Sequence, residues 1–466
     1  MRSYLTIPIL WVLLHSCVPG NEMNSGNPRT SEYWVSQFLA GILAGIHPII
    51  FRENTGTLEW TKLVGKSGAS SRGKDAVLDP SQNVVAVGET DGALFNGSVI
   101  GSQDLIIVKY NATGDVVWAR QMGASGALLT VVGVATDQFG NSYVAGYTNA
   151  AFAGPLLSGQ DLFVVKFSLD GTPLWSKQVG PTGGSYFLNP TDICVDSLGN
   201  SFVAGDTNGP FGGPVSVGGT MFVVRFDSSG NQSWATQLSV TGANTTASGL
   251  ACDSASGSAF VAGWGGANYS ALTVPGIGGN DLFVFKYDSS GNRQLFNHIG
   301  QTGTEVLTGS ITFDRFGNVF VGANSNADFG SGNTGAAYPG TIFKFGANGT
   351  QQWVQQFGAN LGSSSTTVMS LSTDFVGNVF STGFTTGNLL TGSSASIGNY
   401  DLFFTKYNSQ GQQQWLRQIG TPAATLMGYA AVIDPEGALY ATGSANGTIN
   451  GISINGTQDL FLVKYR

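Results

Sequence analysis

The chain has 466 residues, enough for several small domains or one large repeat domain. Only 10% of residues are charged and 68 are glycine, which excludes an ordinary helical protein; 42% hydrophobic and 11% aromatic content excludes a disordered one. The net charge of −8 argues against a nucleic-acid partner, so short apolar strands joined by glycine turns fit best.

In chain order, the first element is a leader. Met1–Arg2 gives a positive start, and Tyr4 to Leu14 forms an apolar run too short to span a bilayer but suited to a signal-peptide core. It ends in Leu14-His15-Ser16-Cys17, which resembles a bacterial lipobox; His15 departs from it, since a small residue is usual there. Residues 1–16 are therefore expected to be a lipoprotein-type signal peptide, with Cys17 the lipidated residue. Residues 17–57 are expected to hold the acylated cysteine, a polar tether from Val18 to Thr30 and a short helix over Ser31–His47. The helix carries Trp34, Val35, Phe38, Leu39, Ile42 and Ile46 at helical spacing and stops at Pro48. It is expected to dock on the following domain, membrane contact being the alternative.

From residue 58 onward the sequence repeats. Asp161-Leu162-Phe163-Val164-Val165-Lys166-Phe167 recurs around Lys109, Arg225, Lys286, Lys344, Lys406 and Lys464, at intervals of 57 to 62 residues. Five residues later stands Gly114, Gly171, Gly230, Gly291, Gly349 or Gly411, and nine residues later Trp118, Trp175, Trp234, Leu295, Trp353 or Trp415. Strand, glycine turn and strand follow from that spacing. A second hairpin turns after Asp79, Asp137, Asp196, Asp253, Asp314, Asp374 and Asp434. Each period thus holds four strands, a to d. The seventh copy lacks its last strand, but Leu58 to Val64, ahead of the first complete repeat, has the missing pattern. The fold expected for residues 58–466 is an all-β, seven-bladed propeller of four-stranded antiparallel blades, closed by pairing of the N-terminal and C-terminal strands.

These residues resemble the bacterial β-propeller repeats known as SBBP repeats, with their D-x-F-V-x-K, x-x-G-N and V-x-G-x-T elements. With the leader included, the chain resembles the leptospiral β-propeller lipoproteins built from them. Departures occur at Thr220 and Pro339 for Asp, Leu295 for Trp and Ala323 for Gly. The resemblance implies a place in the bacterial cell envelope, on the outer membrane, and says little of function.

Catalytic residues are not expected. Of the three histidines, His15 is in the leader, His47 ahead of the propeller and His298 alone in a d strand, so no Ser-His-Asp set can be built. The repeated Trp is expected to pack between blades, the repeated Asp and Lys or Arg to pair within each blade, and no metal or cofactor is expected. The pairs would be Asp79–Lys109, Asp137–Lys166, Asp196–Arg225, Asp253–Lys286, Asp314–Lys344, Asp374–Lys406 and Asp434–Lys464. Cys194 and Cys252 sit on equivalent strands of neighbouring repeats and read as buried free thiols, with an inter-blade disulfide as the alternative. Phe95, Phe152, Phe211, Tyr269 and Phe329 recur in the b–c connections and read as loop plugs.

Residues that break the repeat are the better functional candidates. The residue leaving strand b varies: Glu89, Tyr147, Asp206, Trp264, Asn324, Phe384 and Ser444. That ring is the expected ligand site. The expected function is a monomeric, lipid-anchored, non-enzymatic binding or adhesion protein that contacts a protein or glycan through its loop face. A structural scaffold inside the envelope is the alternative class, and a propeller enzyme a third.

Overall fold

The structure, a computed structural model, describes residues 54–95, 97–215, 219–238, 244–253, 256–266, 277, 279–330, 335–391 and 395–466, with the side chain of 308 excepted. The leader, Cys17, the tether, the Ser31–His47 segment and Tyr269 lie outside these residues.

Seven four-stranded antiparallel sheets form seven blades. Blade 1 is strand a (Ser71–Leu78), b (Val84–Thr90), c (Asp104–Tyr110) and d (Val116–Met122). Blades 2 to 6 repeat that order. Strands b and c are buried along most of their length, because they are the middle of each sheet and both faces are covered by neighbouring blades. Each strand a lies beside the strands a of the two adjoining blades, so the seven make an inner ring.

Blade 7 takes strands a, b and c from Leu426–Ile433, Leu439–Ala445 and Asp459–Tyr465, and strand d from Leu58–Val64. Closure is as expected, with Leu63 opposite Phe461 and Val64 opposite Leu460. It extends beyond the strands. Thr57 and Arg466 exchange two backbone hydrogen bonds, each 2.7 Å, and Gly56 holds the positive φ found at Gly114 in blade 1. Asn54 accepts the Gly56 N–H on its side chain and donates to the carbonyls of Gly437 and Tyr465. Residues 54–57, read from sequence as the end of the tether, thus rebuild without a covalent link the c–d turn that the other blades have in one piece.

The c–d turn is where one blade grips the next. Trp118 Nε1 and Lys109 Nζ of blade 1 both donate to Leu169 O in the turn of blade 2. Trp353 and Lys344 share Ser409 O, Trp60 and Lys464 share Ala112 O, and Trp415 and Lys406 share Asn54 O. The turn glycine has a second duty besides its positive φ. A methyl on Gly171 would lie 2.6 Å from the Trp118 ring, so only glycine lets the indole seat against the turn. In blade 4, where Leu295 replaces Trp, Asn297 Nδ2 donates to Gly349 O across the same junction.

The expected Asp–Lys pairs are direct in the first three blades: Lys109–Asp79 at 2.6 Å, Lys166–Asp137 at 3.6 Å and Arg225–Asp196 at 4.0 Å. In blade 5 the Asp314 charge acts on Lys344, and in blade 7 Lys464 reaches Glu59 at 3.1 Å. The basic group also lies over a strand-b ring, as Lys166 does over Tyr143 at 4.7 Å. The Asp carboxylates do a further job in the a–b turns. Asp137 Oδ1 accepts the N–H groups of Phe139 and Asn141, and Oδ2 the Asn141 side chain. The x-x-G-N signature is therefore an Asp-centred turn, its carboxylate taken up by its own backbone.

Two expectations need correction. Cys194 and Cys252 are not free thiols; they form a disulfide joining the strands a of blades 3 and 4, Leu188–Val195 and Thr245–Asp253. Equivalent residues on adjacent inner strands come within 5.5 Å between Cα atoms, inside disulfide reach. Phe95 is not a plug but is 40% exposed, because its positive φ turns it outward and Leu94 takes the buried place. Phe152, Phe211 and Phe329 do plug, each edge-on to a strand-c Phe.

Two stability outcomes follow. Trp118→Ala removes a buried indole and a junction hydrogen bond and lowers unfolding free energy by about 3–5 kcal/mol, whereas Trp118→Phe costs about 1 kcal/mol; denaturant titration measures both. Cys194→Ser with Cys252→Ser lowers it by about 2–4 kcal/mol, and a disulfide-free variant as stable as the parent contradicts the bond's structural role.

Candidate functional site

The candidate site is built at the end of strand b, where a V-x-G-x-T-like element closes each strand, with Ala323 for the glycine in blade 5 and Gly265, Ser325 and Ala445 for the threonine in blades 4, 5 and 7. The glycine is there for the bulge in strand a. The pairing of strands a and b shifts register at every blade, between Gly73 and Asp75 in blade 1 for example. That bulge presses a carbonyl on the glycine: a methyl on Gly88 would sit 2.0 Å from Arg72 O, and one on Gly146 2.2 Å from Thr130 O. The threonine starts the b–c loop, accepting an N–H two residues on, as Thr90 does from Gly92 and Thr207 from Gly209. Between these two structural residues lies the variable one.

The seven variable residues occupy one register as the penultimate or equivalent residue of strand b, within the sheet rather than in the loop. They do not make an even ring. Glu89 is buried, 3.2 Å from Lys74 and 3.9 Å from Arg72, and accepts the Val131 N–H of blade 2. Ser444 is buried too. Tyr147, Asp206, Trp264, Asn324 and Phe384 are half-buried and keep part of their surface toward solvent. Phe384 stands edge-on to Tyr400, and burial raises the Asp206 carboxyl above its ordinary range against a lowering bond from Asn189.

The loops over this register are held from below by repeated residues. Asp104, at the start of strand c, accepts the N–H groups of Ile100 and Gly101 and the side chain of Gln121. Gln121 in turn donates to Gly92 O and accepts from Leu94 N. Gln178 and Gln418 repeat that clamp, and His298 stands in its place in blade 4, 3.1 Å from Asp281. A methyl on Gly123 would lie 1.9 Å from Asp104 Oδ1, so strand d ends in glycine where strand c starts in Asp. His298 and the repeated carboxylates are thereby placed in the scaffold. The Gln clamp was legible as a repeated letter two residues before Gly123, Gly180, Gly358 and Gly420, but its meaning needed the loop above it.

One feature escaped the sequence reading. The residue after the strand-a bulge runs Asp75, Gly133, Asp192, Gly249, Ser310, Ser370 and Ala430 around the inner ring. Its side chain, where it has an oxygen, accepts a backbone N–H of the next blade: Asp75 from Val134, Asp192 from Leu250, Ser310 from Leu371 and Ser370 from Ala431. Gly133 lies between the two carboxylates; a methyl there would be 3.2 Å from Asp192 Oδ1 and 3.3 Å from Asp75 Oδ2. Burial, then the Asp192 charge, pushes the Asp75 carboxyl up to about 8, and burial pushes Asp192 up to about 7. Asking which strand-a positions break the repeat would have found the pair.

A raised carboxyl pKa means that the folded state holds a proton the unfolded chain releases. That stabilisation is complete below the unfolded carboxyl pKa, near 4, and is lost as pH rises through about 7 to 8. Melting temperature is therefore expected to fall between pH 5 and pH 9. Asp75→Asn should flatten that decline; a decline of unchanged slope contradicts the assignment.

The SBBP β-propeller repeat family matches residues 117–153, 174–212, 299–330 and 352–391. An uncharacterized WD repeat-containing protein of Acanthamoeba polyphaga mimivirus is 28% identical over 158 residues, 28% of this chain and 11% of that protein; the chain thus spans about a tenth of that relative's length. Among solved structures, a catalytically inactive virginiamycin B lyase from Staphylococcus aureus overlaps 87% of this chain and 99% of its own at 8% identity and a TM-score of 0.48. The polysaccharide lyase Uly1 overlaps 88% and 99% at 9% identity and the same TM-score.

Proposed function

We propose that this chain, four stretches of which match the SBBP β-propeller repeat, is a lipid-anchored, non-enzymatic binding protein of the bacterial outer membrane that contacts a protein or glycan through its b–c loop face. The observation that carries the reading is the contrast inside the V-x-G-x-T element. Six blades keep the glycine that seats the bulge and four keep the threonine that starts the loop, while the residue between them differs in every blade. Variation confined to one register of a rigid strand is what a binding surface needs, since the scaffold holds the side chains in place without depending on them.

Tyr147, Trp264 and Phe384 offer apolar area, and Asp206 and Asn324 offer polar recognition. Glu89, ion-paired and buried, orders the blade 1 side of the ring. The Cys194–Cys252 disulfide supports export, because such bonds form and persist outside the reducing cytosol. The lipobox-like Leu14-His15-Ser16-Cys17 supports the anchor.

Two measurements test the two halves. Cys17→Ala should move the chain from the detergent phase to the aqueous phase of a detergent partition and abolish acyl labelling; an unchanged partition sinks the anchor. For binding, the chain is screened against arrayed glycans and surface-labelled envelope proteins. Trp264→Ala with Tyr147→Ala should keep the parental melting temperature and weaken the captured interaction by about tenfold or more. Full binding by that double variant removes the ring from the account.

A further inference from the structure

The face opposite the b–c loops carries exposed apolar side chains on its tightest turns. In the a–b turns of blades 2, 3 and 5, the second residue after the Asp is Phe139, Leu198 and Phe316, exposed by 68%, 74% and 57%. Blade 6 shows Phe375 and Val376. In blades 1 and 7 the same position holds Ser81 and Glu436. Nothing in the turn requires an apolar residue there. The fold uses only its backbone, whose N–H is bound to the Asp in each case, so the side chain is rigidly presented outward. Arg315 lies over the Phe375 ring at 3.6 Å and brings a guanidinium to the same arc.

The position of residue 54 says what would cover this arc. Asn54 bonds to Gly437 O, in the a–b turn of blade 7, so the chain coming from Cys17 joins the propeller on this face. The residues between Cys17 and Asn54 are too long a connection to orient the propeller unaided, since an extended chain spans about 3.3–3.6 Å per residue. We propose that the arc of Phe139, Leu198, Phe316 and Phe375 is a lipid-facing surface, seated in the interfacial layer of the membrane that holds Cys17, so that the b–c loop face points away from the bilayer. The inference rests on the anchor reading and adds the orientation. Apolar tips on rigid turns suit an interface, where burial of their area is favourable and the neighbouring backbone stays hydrated. The exposed Asp115 and Asp170 and the half-buried Asp227 and Asp288 sit on the outer, c–d turns of this face and disfavour an anionic surface, which makes a zwitterionic bilayer the probe.

The test places one environment-sensitive label on the full acylated chain bound to phosphatidylcholine vesicles, through Leu198→Cys or Phe316→Cys on the turn face and Leu156→Cys or Ile397→Cys on the loop face. Labels on the turn face should lose fluorescence to brominated lipid and resist aqueous iodide, with the reverse on the loop face. Equal iodide quenching on both faces, or lipid quenching on the loop face, overturns the proposal. In the Cys17→Ala chain, combining Phe139→Ser, Leu198→Ser, Phe316→Ser and Phe375→Ser should lower vesicle partitioning by about tenfold or more; unchanged partitioning overturns it, as does capture of a protein by the arc with no lipid quenching. If the parental chain carries no acyl group at Cys17, the anchor reading falls alone, and quenching at high lipid concentration still decides the turn face.

Discussion

One carbonyl oxygen per junction joins this ring. It belongs to the c–d turn of one blade and takes the indole N–H of the Trp in the blade before at six junctions, or the Asn297 amide at the junction of blades 4 and 5, with the Lys ammonium beside the indole in four. Much of the repeat is explained by that contact. The turn glycine must lack a side chain to admit the indole, the Lys must end strand c to reach the same oxygen, and in blades 2 to 7 a strand-b ring lies beneath the basic group. Because the contact is made between blades, no blade satisfies it alone. The last junction therefore requires a turn in blade 7, where the chain is interrupted, and Asn54 supplies the oxygen.

The same logic separates what sequence could reveal from what it could not. The repeat register of Lys, Gly and Trp disclosed the blades, and the unpaired Asp459–Tyr465 copy disclosed its partner at Leu58–Val64. Both depend on pairwise β ladders, which a period in the sequence reports directly. The disulfide depends on how close adjacent inner strands come, a distance set by closing the ring rather than by any one repeat. The exchange of Phe95 for Leu94 turned on one positive φ in a loop. Asp75 and Asp192 were hidden by the bulge that precedes them, which shifts their facing within an otherwise regular strand. The variable ring was legible by position, but its depth was not. The ladder runs on through the V-x-G-x-T element, so Glu89 and Ser444 are buried and the others half-buried.

Charge is sparse in this chain, and the structure gives most of it a scaffold task. Repeated Asp residues bind the N–H groups of their own turns and loops, and the repeated basic residues bind turn carbonyls. What remains outside the repeat falls on two opposite faces. On one, five half-buried side chains of different chemistry occupy a common register; on the other, where Asn54 also docks, apolar residues stand on the Asp-centred turns of blades 2, 3, 5 and 6. In the proposed orientation the second of these faces meets the bilayer and the first points away from it.

The central claim is that the seventh turn, though assembled from two distant parts of the chain, closes the ring as firmly as the covalent ones. Native-state amide hydrogen exchange tests it most directly. The account predicts that Thr57, Arg466 and the amides of Leu58–Val64 exchange with the same protection as their counterparts Asp115, Asn111 and Val116–Met122, all opening only with global unfolding. Exchange of the blade 7 set through a separate, lower-energy opening, with blade 1 still protected, would contradict it.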